Sequence, residues 1–195
     1  MSVEVESWRV FIAIELPASA RQRLKDHIDR LRDALPDARA SWSREENLHL
    51  TLKFLGDTPV SQIEPLSQAT KRAASEALPF ELIIRGCGAF PPGGQPRVLW
   101  IGIEDLSGQL GKLQRALEDE SDKEGFAREA RPFHPHLTIA RLRRPHGSRQ
   151  LAALHEELGF EAETVRASAL AVVRSELGSE GSRHTVISRH EFSQS

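Results

Sequence analysis

Hydrophobic and polar positions divide this chain into short period-two runs and longer runs near period 3.6. "WRVFIAIELP" alternates, with Val10, Ile12, Ile14 and Leu16 on one face and Phe11 and Ala13 on the other, as a strand requires. Next, Leu24, Ile28, Leu31 and Leu35 recur at helical spacing until Pro36 stops them. "NLHLTLKFLG" returns to alternation, with Leu50, Leu52 and Phe54 facing a core and His49, Thr51 and Lys53 opposite. Ser61 and Glu64 have the spacing of a capping box for a helix running to Ala77. "FELIIRGCGAF" reads as a strand and "PPGGQP" as a loop. "RVLWIGIEDL" is a strand with Trp100 and Gly102 on one face and Leu99, Ile101 and Ile103 on the other. Ser107 then caps a helix carrying Leu110, Leu113 and Leu117, and "FHPHLTIAR" gives a further strand. A helix near 148–158 and strands near 162–177 and 183–192 complete the prediction.

The order strand, helix, strand occurs twice. "FIAI" and "WIGI" open the two copies, and His49 and His136 follow Phe11 and Trp100 at nearly equal separations. Self-similarity at a long period is a statement about architecture. It predicts an α+β, bilobal fold, with two pseudo-symmetric strand–helix–strand lobes whose sheets line a central cleft. Residues 1–195 would form one domain containing both repeats. Ala13 and Gly102, both small, would leave room in that cleft.

Each repeat has a strand with one apolar face and one face carrying His-x-Thr: His49 and Thr51, then His136 and Thr138. Imidazole titrates near neutrality, with an ordinary pKa of about 6.5, so one ring can give a proton while another takes one. Threonine hydroxyls can donate hydrogen bonds to anionic oxygens. Two acid–base groups and two donors around one point suit a phosphodiester in transit, and they call for no metal or cofactor. Such a pair predicts a bell-shaped kcat/KM profile with limbs within a unit or two of pH 6.5. Strict alternation places Lys53 with Thr51 on the cleft face, and aims Arg141 away from Thr138 unless the strand bulges. His134 reads as structural. His27, His146, His155, His184 and His190 match no paired pattern and read as surface residues.

Composition changes this picture little. The chain has 195 residues, 39% hydrophobic and 28% charged, with a formal net charge of -2. Charge is nevertheless local: Arg128, Arg131, Arg141, Arg143, Arg144 and Arg149 crowd the second motif with Glu129 as the sole acid among them. That is a footprint for a phosphate-bearing ligand. The single cysteine, Cys87, excludes an internal disulfide and reads as a buried, inert thiol. No leader pattern or membrane-length apolar run is evident, so a soluble, cytoplasmic monomer is the expectation.

"HLTL" (49–52) and "HLTI" (136–139) resemble the paired motifs of the 2H phosphoesterase superfamily. "FIAIELP", "NLHLTLKFLG", "RVLWIGI", "RPFHPHLTIAR" and "SELGSEGSRHTVI" resemble its RNA 2′,3′-cyclic phosphodiesterases, also called 2′-5′ RNA ligases. The resemblance implies metal-independent hydrolysis of a nucleoside or RNA 2′,3′-cyclic phosphate to a 2′-phosphomonoester. It makes His49 the proton donor and His136 the proton acceptor, with Thr51 and Thr138 on the phosphate and Arg141 assisting. The chain has no tyrosine, so Phe11 or Trp100 would supply any base stacking. Two other readings are ligation of RNA ends at the same site and a non-catalytic module that binds RNA ends.

Overall fold

A computed structural model describes residues 6–143, 145–178 and 181–194. Of the segments singled out above, Arg144, Ser179 and Glu180 lie outside the described residues. The chain runs β1 (Ser7–Glu15), α1 (Ala18–Ala34), β2 (Ala40–Trp42), a short 3-10 turn (Glu45–Asn47), β3 (His49–Pro59), a second 3-10 turn (Val60–Gln62) and α2 (Ile63–Ser75). It continues with β4 (Phe80–Phe90), β5 (Val98–Glu104), α3 (Gln109–Lys123), β6 (His136–Leu142), α4 (Ser148–Leu158), β7 (Glu163–Ala167), β8 (Ala169–Gly178) and β9 (Gly181–Glu191). No helix among the described residues is long and apolar enough to cross a membrane.

Two antiparallel sheets result, ordered β3-β1-β8-β9 and β2-β6-β5-β4-β7. The repeat is real in topology. β1 and β3 are neighbours in the first sheet, and β5 and β6 in the second, each pair joined through a helix. The lobes are interleaved in sequence, because β2 joins the second sheet and β8 and β9 the first. The helices cross over as well. α1 follows a first-sheet strand but brings His27 against His155 of α4, Nε2 to Nδ1 at 2.9 Å. α3 follows a second-sheet strand but reaches β3, where Lys53 Nζ donates to Glu118 Oε2 at 2.6 Å. One apolar cluster runs through both lobes, from Ile12, Leu24 and Leu50 to Leu99, Leu117 and Leu137.

Local expectations fail at a few places. The run near 162–177 is two strands in different sheets, broken at Ser168, and alternation cannot reveal which sheet a strand joins. The capping box does not form. Gln62 is the N-cap of α2 without a side-chain bond, and Glu64 accepts from Gln68 instead. At α3, Asp105 Oδ2 accepts from the Leu110 amide at 2.7 Å, and Ser107 Oγ accepts from the Gln109 amide at 3.2 Å. Gly102 leaves no free room. A Cβ there would stand 2.7 Å from the Arg85 carbonyl oxygen of β4.

Lys53 departs most from the sequence reading. It is 4% exposed, on the core side, where its ammonium also donates to the Ala127 carbonyl at 2.8 Å. Glu118 in turn accepts from the Glu129 amide at 3.2 Å. Removing one partner of such a pair leaves an uncompensated buried charge, whereas removing both need not. Lys53→Met should therefore lower unfolding stability by about 3–5 kcal/mol in urea titration. Lys53→Met with Glu118→Leu should recover most of it. A Lys53→Met variant of unchanged stability would show the pair to be idle.

Candidate active site

The two motif strands share one burial sequence. From His49 the side chains run half-buried, buried, half-buried, buried, buried, exposed, and from His136 the order is the same. The doubled buried position marks a slipped register. Ile12 pairs with Lys53 and Ala13 with Thr51, so Leu52 has no partner of its own. Leu99 pairs with Ala140 and Trp100 with Thr138, so Ile139 has none either. Both bulges fall on the fourth residue of the motif. A bulge inverts the faces of everything beyond it. Lys53 and Ala140 therefore turn inward, and Phe54 and Arg141 turn to the side of the motif threonines. This corrects the alternation reading at both strands: Lys53 and Phe54 exchange faces, and Arg141 gains the cleft face.

The histidines are held alike. His136 Nδ1 donates to the His134 carbonyl at 2.7 Å, and the His49 imidazole bonds the backbone of Asn47, again two residues earlier. In His136 this leaves Nε2 for chemistry. His134 thus serves through its main chain, its own side chain being exposed. Among the described residues, neither the Thr51 nor the Thr138 hydroxyl has a protein partner, so both can donate to a ligand.

A short connection brings the two strands together. β2 pairs with β6, and the Ser43 amide and hydroxyl donate to the carbonyls of Ile139 (2.9 Å) and Thr138 (2.7 Å). The chain then crosses into the first sheet and delivers His49. Asn47 fastens the crossing by donating from Nδ2 to the Ser182 carbonyl at 2.7 Å. As a result β3 and β6, in different sheets, approach within 8 Å between Cα atoms.

The surroundings of the two histidines differ. Phe11 is 3% exposed and stacks on His49, with centroids 4.6 Å apart and planes 18° from parallel. It lies in a small apolar floor with Ala13, Ala171 and Val173. His184 closes the other approach, with ring centroids 5.2 Å from His49 and 5.0 Å from Phe11. Its Nδ1 is buried without a hydrogen-bond partner. Burial, and secondarily His184, pushes the His49 pKa down to about 4, against a smaller upward pull from Asn47. Burial also lowers His184, which Glu46 partly offsets. Around His136 the support is Phe90, edge-on at 5.2 Å, with Trp100 behind it at 5.4 Å. Trp100 fits because Gly88 lacks a side chain: a Cβ there would stand 2.3 Å from the indole.

Sequence reasoning missed Phe54 and His184. Phe54 is 51% exposed beneath the Arg9 guanidinium, which lies 4.9 Å from its centroid. The bulge hid Phe54, and His184 lies on a strand with no motif. The surface reading holds for His146 but not for the buried His27 and His155, nor for the half-buried His184 and His190. The basic cluster is thinner than it reads. Arg128 pairs with Asp119 and Asp122, and Arg131 with Glu129. Arg141 keeps an exposed guanidinium with no ion-pair partner among the described residues.

Known proteins resemble this chain over most of its length. The family model described as the 2′-5′ RNA ligase superfamily matches residues 17–179. A Methanothermobacter thermautotrophicus protein named RNA 2′,3′-cyclic phosphodiesterase is 37% identical over 180 residues, covering 91% of this chain and 95% of the relative. An Escherichia coli protein of the same name is 31% identical over 136 residues, covering 70% and 73%. Among solved structures, a Thermus thermophilus protein superposes with a TM-score of 0.78 at 26% identity, covering 94% of this chain and 97% of that one. Escherichia coli LigT in complex with 3′-AMP superposes at 0.73 and 25% identity, covering 97% and 100%.

The enclosure of His49 is measurable. Its titration by NMR in the ligand-free protein should show a midpoint near pH 4. His184→Phe keeps the burial but removes a neighbouring imidazole, so the midpoint should rise while staying below the ordinary value of about 6.5. A midpoint at 6.5 in the unaltered protein would mean that His49 is solvated.

Proposed function

The chain belongs to the 2′-5′ RNA ligase superfamily of 2H phosphoesterases, and on that premise we propose that it hydrolyses RNA or nucleoside 2′,3′-cyclic phosphates to 2′-phosphomonoesters. The observation that carries the reading is the doubled site: two His-x-Thr motifs, each with the same bulge and a ring held through the backbone two residues before it, on strands that approach within 8 Å between Cα atoms. Phosphate binding alone would call for cations and hydroxyls. Two tethered imidazoles add a means of moving protons.

In this reading His136 Nε2 takes a proton from water, and the water oxygen attacks phosphorus as the bond to the 3′ oxygen breaks. His49 gives its proton to that departing oxygen. One bond to phosphorus forms and one breaks, and one proton is taken up as one is released. Thr51 and Thr138 donate to the non-bridging oxygens, where negative charge is held through the transition state. Arg141, brought to the cleft face by the bulge, adds a cation for the phosphate. Phe11 holds the His49 ring, and Trp100 packs behind Phe90. The residues act as one unit built from both repeats.

The acid role needs a protonated His49, yet burial holds this ring neutral at pH 7. The substrate's own phosphate charge favours imidazolium and so supplies what burial removes. The lower limb of kcat/KM, a property of the free protein, should accordingly lie near pH 4 rather than near 6.5. The corresponding limb of kcat should lie higher, because the bound anion raises the pKa. Coincident limbs would mean that the substrate does not alter His49.

His49→Ala and His136→Ala should each reduce turnover of a 2′,3′-cyclic nucleotide by about 10² or more, assayed with EDTA present. A diester with an activated aryl leaving group needs no acid. On it the deficit of His49→Ala should shrink and that of His136→Ala should persist. The opposite pattern would exchange the two roles, and full activity in both variants would reduce the histidines to binding groups.

A further inference from the structure

Behind the second motif, on the helix side of its sheet, three groups from distant parts of the chain converge. They are His27 of α1, Cys87 of β4 and His155 of α4. His27 is 3% exposed and His155 fully buried. One nitrogen from each ring and the Cys87 sulfur all lie within 4.8 Å of one another. None of them takes part in the chemistry above. We propose that His27, Cys87 and His155 form a structural site for a single divalent ion of the zinc class, separate from the cleft.

The tautomers prepare the site. His155 Nε2 stands 2.9 Å from the Trp100 carbonyl oxygen, which can only accept, so Nε2 carries the proton and Nδ1 keeps its lone pair. A ring nitrogen bonded to a main-chain carbonyl while the other faces the ion is the usual posture of a metal-ligating histidine. His27 Nε2 faces that same lone pair at 2.9 Å. In the metal-free state it donates the proton between them. For coordination, that proton moves to Nδ1 of His27, with no net change.

Burial already keeps His27 in the ligand form, its pKa pushed down to about 4. The Cys87 thiol is pushed up to about 11, mainly by burial, so without an ion it remains protonated and inert. Binding converts it to thiolate with release of one proton. The carboxylate of Glu156 acts on both Cys87 and His155 and offsets part of the positive charge brought in. Arg30 opposes it from the His27 side.

Zinc–nitrogen bonds of about 2.0–2.1 Å at tetrahedral angles hold two nitrogens about 3.3 Å apart. The imidazoles must therefore part by a few tenths of an ångström, and the sulfur must close in. Three protein ligands leave the fourth position to a water molecule, which completes the tetrahedron. The ion would clamp α1, α4 and β4 directly behind the Trp100 carbonyl. No two of the ligands are neighbours in sequence, which is why spacing gives no motif.

Cobalt(II) is the probe, because a thiolate ligand shows itself in the spectrum. Full-length protein freed of metal with a chelator should take up one equivalent of cobalt. The complex should show near-ultraviolet thiolate-to-cobalt charge transfer and the strong visible absorption of a four-coordinate ion, and zinc should displace both. Cys87→Ser, checked for folding by circular dichroism, should lose the charge-transfer band. His49→Ala should keep it, although the cleft has its own imidazoles in His49 and His184. Zinc should raise the Tm of the unaltered protein and not that of Cys87→Ser. Cobalt uptake without charge transfer, a band that survives Cys87→Ser, or no uptake would overturn the proposal and leave a hydrogen-bonded histidine pair beside an inert thiol. None of these outcomes bears on cyclic phosphate hydrolysis, which is assayed separately.

Discussion

Each motif strand must satisfy two environments at once. One face has to build the core, and the other has to present a histidine and a threonine to a cleft. Plain alternation achieves this for three residues in each strand: His49, Leu50 and Thr51, then His136, Leu137 and Thr138. Continued further, it would send Lys53 to the cleft and Arg141 to the core. The bulges at Leu52 and Ile139 prevent both. Lys53 gains a buried partner in Glu118, and Arg141 stays exposed on the same side of its strand as Thr138. The facing of Arg141 and the tie between β3 and α3 thus depend on the same kind of one-residue slip, one in each motif strand.

The doubling of the fold is close at the motifs and loose around them. Each histidine is tethered through the backbone two residues before it, and each has an aromatic support. The supports differ. Phe11 stacks flat on His49 and His184 encloses it, whereas Phe90 meets His136 edge-on. Burial, with His184 beside it, lowers the His49 pKa to about 4, so the substrate's charge has to restore the proton that an acid role needs. The asymmetry resides in neighbours from β1, β9 and β4, not in the motifs.

Crossing of the helices explains why two lobes behave as one core. α1 and α3 each leave one sheet and pack toward the other, so the apolar cluster is continuous. The segment from Trp42 to Leu48 does the same for the cleft. It bonds β6 through Ser43 and β9 through Asn47 before β3 begins. Neither motif strand is placed by its own sheet alone.

The sequence by itself determined the repeat, the main helices, most of the strands and the two His-x-Thr pairs. These are local patterns of period two and 3.6, and a short motif that recurs can be read without coordinates. It also marked Arg141 as dependent on a bulge. The tertiary structure alone decided where Lys53, Phe54 and Arg141 point, because a bulge leaves no residue type as its signature. It placed His184 beside His49 and His27 beside His155, since those contacts join residues more than a hundred positions apart. It divided one apparent strand at Ser168 between two sheets, because pairing partners are not written in a strand's own alternation. Local periodicity is a property of neighbours in sequence. The enclosure that lowers the His49 pKa is a property of neighbours in space, and only the folded chain supplies it.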